Sequence, residues 1–258
     1  ANCHIKKYEV GASSVIAGVQ LCALEGMEIE KIKNAIRSDD IHFPKTSLIC
    51  LENATGCGTV LRLDYMKEVK KLAEKNNIAV HLDGARLFNA ATALNVDAKE
   101  ICQYVDSVMF CLSKGLCSPI GSVLAGSKEF IEKARKNRKL MGGGLRQVGI
   151  IAACGIVSLE EMTKRLHIDH ENARYLAEEL VKIPGINVLW DRLQINMVFV
   201  TIDKSLHFPS NFAELLLNKG IKVNGYRGEE IRFVTHNDIS REDIDKVVKE
   251  IKAILKRD

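Results

Sequence analysis

The 258-residue sequence has few of the features that mark disulfide-bonded, membrane-spanning or nucleic-acid-binding proteins. It contains 4 prolines and 1 tryptophan, and its 8 cysteines form no CxxC pair. The longest apolar stretch, from Val148 to Leu159, is shorter than the roughly 20 residues of a bilayer-spanning helix. A net charge of +4, spread along the chain, excludes the basic stripe of a nucleic-acid binder. We therefore expect a cytoplasmic protein that acts on a small molecule and binds neither nucleic acid nor membrane.

The first two-thirds of the chain alternate short apolar runs with helical patterns. This alternation predicts an α/β fold with a mostly parallel sheet covered by helices. The four predicted strands, each expected to be covered on both faces, are Thr46–Leu51, Ile78–Leu82, Ser107–Leu112 and Gly121–Ala125. The helices predicted around them are Asp64–Asn76, with Asp64 as N-cap, Ala85–Leu94 and Lys128–Leu140.

The last third of the chain has the pattern of a smaller α+β unit. A long helix is predicted from Arg146 to about Arg165, with a break near His167 and a second helix at Glu171–Lys182. The elements predicted after it are strand Met197–Ile202, helix Ser210–Lys219, strands Lys222–Asn224 and Glu230–Thr235, and helix Arg241–Lys256 with a Ser240–Asp243 capping box. We therefore predict a large cofactor-binding domain at residues 1–165 and a small C-terminal domain at residues 166–258.

Two ionisable residues directly follow predicted strands, where ligands bind in open α/β sheets. Asp83 follows one strand and Lys114 follows the next. A lysine amine in a partly desolvated pocket forms a Schiff base with an aldehyde, and a carboxylate keeps a pyridine nitrogen protonated. Together they suit pyridoxal phosphate. The alternatives are that Asp83 caps helix Ala85–Leu94 and that Lys114 is a solvated loop residue.

Other residues are weaker candidates for the same site. Arg86 lies three residues after Asp83 and could clamp a substrate carboxylate, and Arg232 lies on a strand of the small domain. The glycines at 142–144 could open a helix and present N–H groups to a phosphate. His4 could stack on a flat ring. The cysteine and histidine spacings match no metal site, so no metal is expected.

Five segments of the chain resemble those of a known family. These segments are HLDGARLFNA (81–90), CLSKGLCSPIGSVLAG (111–126), GGGLRQVGIIAA (142–153), DHENAR (169–174) and IRFVTHNDISR (231–241). In these segments the chain closely resembles the L-threonine aldolases of low specificity, which are pyridoxal-phosphate enzymes with the aspartate-aminotransferase-like fold. The likeness extends from His4 to the last helix.

The resemblance implies a role for each of several residues. Lys114 would hold the cofactor aldehyde, Asp83 would face the pyridine nitrogen, and His4 would stack on the ring. Arg86 and Arg232 would hold the substrate carboxylate. The positions that lie near the cofactor, expected to reach a neighbouring subunit's site in a homodimer or homotetramer, are Lys139 and Arg146.

Two departures from the family pattern bear on activity. Family members carry an N-terminal stretch with a Gly-Thr loop for the cofactor phosphate, and the sequence here begins after it. The segment LENATGCGTV (51–60) has Thr55 where the family usually has a histidine near the substrate hydroxyl. His4 or an ordered water would then accept the hydroxyl proton.

The resemblance implies retro-aldol cleavage of L-threonine or L-allo-threonine to glycine and acetaldehyde. The departures leave two alternatives open. One is a catalytically impaired subunit that keeps the fold, and the other is a different pyridoxal-phosphate reaction, such as β-elimination or transamination.

Overall fold

The computed structural model describes residues 2–203, 209–225 and 229–255, and two sheets organise them. The strands are β1 (Leu48–Glu52), β2 (Ala79–Asp83), β3 (Ser107–Cys111), β4 (Ser122–Gly126), β5 (Ile186–Val188), β6 (Met197–Ile202) and β7 (Glu230–Val234). The helices are α1 (His4–Lys7), α2 (Ala12–Ala17), α3 (Ile29–Ala35), α4 (Leu63–Lys75), α5 (Leu87–Leu94), α6 (Ala98–Cys102), α7 (Lys128–Leu140), α8 (Gly149–Glu160), α9 (Leu166–Leu180), α10 (Phe212–Leu217) and α11 (Arg241–Leu255).

The first sheet has the order β1-β2-β3-β4 and confirms the predicted mostly parallel α/β fold. β1 pairs with β2 and β2 with β3 in parallel, while β4 runs antiparallel to β3. Residues of β4 alternate between exposed and half-buried, as in an edge strand. The expectation that all four strands are covered on both faces is therefore wrong for β4, and also for β1, where Leu48 and Cys50 are exposed.

Helix α4 packs its apolar stripe into the core, with Met66, Val69 and Ala73 fully buried. The predicted N-cap is wrong, because the helix begins one residue earlier, at Leu63, and Arg62 occupies the cap position. Asp64 lies in the first turn, where its carboxylate accepts the Tyr65 N–H at 2.8 Å. An acidic residue in a first turn still favours the positive end of the helix.

The predicted helix break near His167 lies earlier in the structure. Helix α8 ends at Glu160, a 3₁₀ turn covers Met162–Arg165, and α9 then runs without interruption. The Leu166 side chain is fully buried, so the turn serves to bring α9 back onto the core. The separate helix predicted at Glu171–Lys182 is therefore the second half of α9.

The second sheet is antiparallel, in the order β5-β6-β7, and α9, α10 and α11 supply its apolar cover. The strand predicted at Lys222–Asn224 is wrong, because these residues form an irregular segment. The capping box before α11 is confirmed: the Asp243 N–H donates to Ser240 Oγ at 3.1 Å, and the Ser240 N–H donates to Asp243 Oδ2 at 2.9 Å. Lys256, the predicted end of this helix, lies outside the described residues.

Buried polar side chains join the two sheets. Asn89 of α5 lies 3.1 Å from His170 Nε2 on α9, and the Asn196 side chain donates to the Thr235 carbonyl at 2.7 Å. Thr235 Oγ1 donates to the Asp169 carbonyl at 2.6 Å. These bonds hold the end of β7 against α5 and α9. Over the residues that the structure describes, no helix is long and apolar enough to cross a membrane.

The partly buried side chain of His170 should make the stability of the fold depend on pH. Burial, together with the smaller effect of the His167 charge, lowers the pKa of His170 from 6.5 to about 4. The unfolded chain binds this proton below pH 6.5, whereas the folded chain binds it only near pH 4, so stability falls as the pH drops between these values. The expected loss from this residue is at most about 3 kcal/mol.

Urea unfolding of the wild type and His170→Gln, at about pH 7 and about pH 4.5, measures this loss. The variant should lose less stability than the wild type on acidification, while His42→Gln, at an exposed site, should behave like the wild type. The buried Asp169, whose pKa burial raises, acts in the opposite direction in all three proteins and cancels in the comparison. Equal losses in wild type and His170→Gln would contradict the prediction.

A side chain at position 84 should lower the stability of the fold, because Gly84 lies where the end of β2 closely approaches β3. Its N–H donates to the Met109 carbonyl at 2.8 Å, and a Cβ at Gly84 would lie 2.7 Å from that oxygen. Gly84→Ala should lower the free energy of unfolding by about 1 to 3 kcal/mol through overpacking. Gly149→Ala is the matched control, since no atom lies within 4 Å of its added Cβ. Equal urea midpoints for both variants would contradict this account.

Candidate active site

Two carboxylates stand at the carboxyl edge of the first sheet. Glu52 ends β1, Asp83 ends β2, and the two residues are paired across the strands. Asp83 Oδ1 accepts the Ala85 N–H at 3.1 Å. The N-cap position of α5 is Arg86, so the alternative in which Asp83 caps that helix is wrong. Asp83 therefore holds the loop after β2 and presents its carboxyl group at the sheet edge.

Lys114 and Arg86 line one pocket of about 360 Å³. Lys114 lies in the loop between β3 and β4, where its carbonyl accepts the Cys117 N–H at 3.0 Å. The side chain is exposed, so Lys114 is both a solvated loop residue and part of the pocket wall. The other lining residues are Ser113, Gly115, Cys117, Ser118, Asn196, Val234, His236 and Asp238.

Of the two candidate arginines, Arg86 lines the pocket, and Arg232 lies near Arg86 without lining the pocket itself. Arg232 lies on β7, the strand whose last residue, Val234, lines the pocket. Burial lowers the pKa of the Arg86 guanidinium, and the positive charge of Arg232 lowers it further, while Glu52 and Asp83 act in the opposite direction. Two guanidinium groups in one neighbourhood make a site suited to a carboxylate or phosphate.

His4 reaches the same edge of the sheet from the N-terminal segment. Its ring Nδ1 lies 3.2 Å from Glu52 Oε2, and its backbone N–H donates to the same oxygen at 2.9 Å. The centroid of the His4 ring lies 5.0 Å from the centroid of the Tyr8 ring. His4 is therefore held against the Glu52 carboxylate at the end of β1 rather than free in a terminal arm.

Glu52 is a site residue that our sequence interpretation missed. It directly follows the predicted strand Thr46–Leu51, as Asp83 directly follows Ile78–Leu82. The same position at the end of a strand could have identified it. What the sequence could not show is the in-register pairing of Glu52 with Asp83.

Lys139 and Arg146 lie away from this pocket. Both are exposed, and neither lines the pocket. The glycines between them end α7 instead of opening α8: the Gly143 N–H donates to the Arg138 carbonyl at 2.8 Å, as in a Schellman-type C-cap. The expectation of free glycine N–H groups at a helix start is therefore wrong.

The loop after β1 is closed by its own hydroxyl groups. Thr55 Oγ1 lies 2.8 Å from Thr59 Oγ1, and the Thr59 N–H donates to Thr55 Oγ1 at 3.2 Å. Thr55 thus braces the loop. Across residues 2–203, 209–225 and 229–255, no group of three or more His, Cys, Asp or Glu side chains is arranged to hold a metal ion.

The chain matches the beta-eliminating lyase family over residues 1–203. It is 39% identical over 259 residues to the low specificity L-threonine aldolase of Escherichia coli K12, covering 98% of this chain and 75% of the relative. It is 40% identical over 257 residues to low-specificity L-threonine aldolase 1 of Arabidopsis thaliana, covering 94% of this chain and 71% of the relative.

The fold is shared with a solved structure of more distant sequence. The Leishmania major threonine aldolase superposes with a TM-score of 0.78 at 17% identity, covering 98% of this chain and 75% of that one. The sequence comparison and the structural comparison both match the chain to threonine aldolases. The chain therefore belongs to the beta-eliminating lyase family and, within it, to the low-specificity L-threonine aldolases.

Proposed function

We propose that the chain is a pyridoxal-phosphate-dependent aldolase that cleaves L-threonine and L-allo-threonine to glycine and acetaldehyde. The observation that carries the proposal is the pocket that Lys114 and Arg86 share, with Asp83 close enough to Arg86 to act on its pKa. The identity of about 40% to aldolases over most of the chain supports the same reaction.

The residues present fit this cofactor. Lys114 offers an amine at the pocket wall, Asp83 a carboxylate at the neighbouring strand end, and His4 an aromatic ring beside that end. Lys114 would hold the aldehyde, Asp83 would face the pyridine nitrogen, and His4 would stack on the ring. When bound, the cofactor supplies an electron sink for the carbon–carbon bond that breaks.

The chain's own groups bind and orient the amino acid. Arg86 and Arg232 would hold the substrate carboxylate, since a planar guanidinium binds a carboxylate through two parallel hydrogen bonds. Glu52 and Asp83 offset part of the positive charge of Arg86 in the absence of substrate. His4 would accept the proton of the β-hydroxyl group at a ring nitrogen.

We further propose that the protein works as a homodimer or homotetramer. Leu140, Leu145 and Ile150 are 85%, 63% and 84% exposed, and they surround the turn between α7 and α8. We call residues 140–150 the apolar arm. Lys139 and Arg146 lie beside and within it, so a second copy covering the arm would bring their positive charges toward a neighbouring site.

Two further assignments complete the proposal. The large cofactor-binding domain would be residues 1–165 and the small domain residues 166–258, since α9 begins at Leu166 and packs in the second core. A cytoplasmic location is supported by the cysteines, because all eight are free thiols.

Lys114→Ala tests the cofactor assignment. The purified wild type with added pyridoxal phosphate should show the visible absorbance band of the bound cofactor and release glycine and acetaldehyde from threonine. Lys114→Ala should lose the band and lower the cleavage rate by roughly 10³-fold or more, since it removes the group that holds the aldehyde.

The matched control is Lys67→Ala, at an exposed position of α4, which should keep both properties. A yellow, active Lys114→Ala protein would overturn the assignment. Release of ammonia and an oxo acid from threonine, with no glycine, would instead support β-elimination, the alternative that the family description favours.

Ile150→Lys tests the subunit contact. Stable interfaces bury about 1,200 to 2,000 Å², and a lysine at position 150, the last residue of the apolar arm, would have to be desolvated there. The wild type should elute as a dimer or tetramer in light-scattering chromatography and the variant as a monomer. Leu217→Lys, at a position that is 57% exposed in the small domain, is the control and should not dissociate the oligomer. A monomeric wild type would contradict the proposal.

A further inference from the structure

One carboxylate, that of Glu52, holds the N-terminal segment and the loop after β1 together. Its Oε2 accepts the His4 backbone N–H at 2.9 Å and lies 3.2 Å from His4 Nδ1. Its Oε1 accepts the N–H of Gly56. The Glu52 side chain is 10% exposed, against 34% for His4, so the carboxylate is the buried partner.

The chemistry of this contact determines where the ring proton lies. An ionised carboxylate can only accept hydrogen bonds, so Nδ1 of His4 must be the donor. In a neutral imidazole the other nitrogen, Nε2, then carries the lone pair. Within the described residues Nε2 makes no hydrogen bond, and it is therefore available as a proton acceptor.

We propose that Glu52 is a positioning residue that keeps His4 in the Nδ1–H form, so that Nε2 can take the β-hydroxyl proton of the substrate. This inference rests on the proposed function, which assigns that proton to His4. In the step, the O–H bond of the substrate breaks, a new N–H bond forms at Nε2, and the electron pair stays on the oxygen.

The loop after β1 is shaped around this contact. A Cβ at Gly56 would lie 2.9 Å from His4 Cε1, 3.4 Å from His4 Nδ1 and 3.2 Å from Glu52 Oε1. Gly56 therefore packs against the His4 ring and Glu52 so closely that a larger side chain would push them apart. The pairing of Glu52 with Asp83 ties the same ring to the strand edge that holds the proposed cofactor partner.

The tautomer can be read without the cofactor. In the ¹⁵N-histidine-labelled chain, long-range ¹H–¹⁵N correlation spectra, with His4 assigned from His4→Gln, should show the neutral His4 ring with its proton on Nδ1. Free imidazole side chains favour the Nε2–H form, so Glu52→Ala should shift His4 toward Nε2–H. Glu52→Gln keeps an acceptor oxygen and should retain the Nδ1–H form.

Steady-state kinetics supply the second readout. Glu52→Ala should lower kcat for threonine by roughly 10²-fold or more, the scale of losing a positioned general base, while KM stays within about threefold. Glu52→Gln should keep the larger part of kcat. Glu68→Ala, which removes an exposed carboxylate from α4, should change neither the spectrum nor the rate.

Gly56→Ala tests the same contact with Glu52 intact, in case Glu52→Ala fails to fold. The added methyl group displaces the ring from Glu52, so the variant should also shift the tautomer and lower kcat. Far-UV circular dichroism and urea unfolding check that each variant is folded.

The outcomes separate the inference from the proposed function. A tautomer shift with a fall in kcat at constant KM supports the inference. An unchanged tautomer in both folded variants, or a shifted tautomer with unchanged kcat, overturns it. A wild type with the Nδ1–H form that cleaves no threonine overturns the proposed function and the acceptor role of His4, but leaves the tautomer control by Glu52 standing.

Discussion

The parallel pairing of β1 with β2, and of β2 with β3, determines where the chemistry of this molecule can take place. The register sets Glu52 opposite Asp83, and the Gly84–Met109 hydrogen bond continues the edge to β3. Parallel strands bring their carboxyl ends to one side, so the loops that follow them open onto a common space. Lys114 and Arg86 lie in two of those loops, and His4 reaches the edge through Glu52.

The second sheet brings Arg232 near Arg86 at an electrostatic cost. The hydrogen bonds of Asn196, Thr235 and Asp169 hold β7 so that Arg232 comes near Arg86. Burial lowers the pKa of Arg86, and repulsion between its guanidinium group and that of Arg232 lowers it as well. A bound carboxylate would relieve that repulsion. Two neighbouring positive charges therefore suit an anionic ligand.

Much of this architecture could be predicted from local sequence, because local rules govern it. Helix α7 has the predicted bounds, and the Ser240–Asp243 capping box forms as the spacing indicates. The direction of β4 could not be predicted, since it depends on a pairing with β3 that no local pattern encodes. Three glycines are compatible with either the end of one helix or the start of the next. The structure shows that Gly143 ends α7, because its N–H donates to the Arg138 carbonyl one turn earlier. The contacts of Glu52 could not be predicted, because its partners, His4 and Asp83, are distant along the chain.

The account can be tested most directly by a crystal structure of the chain with pyridoxal phosphate bound. It predicts the pyridine nitrogen against the Asp83 carboxylate, the aldehyde carbon at Lys114 Nζ and the His4 ring over the cofactor face. A cofactor bound elsewhere, or one that contacts only one of Asp83 and Lys114, would contradict the claim that the strand register assembles this site.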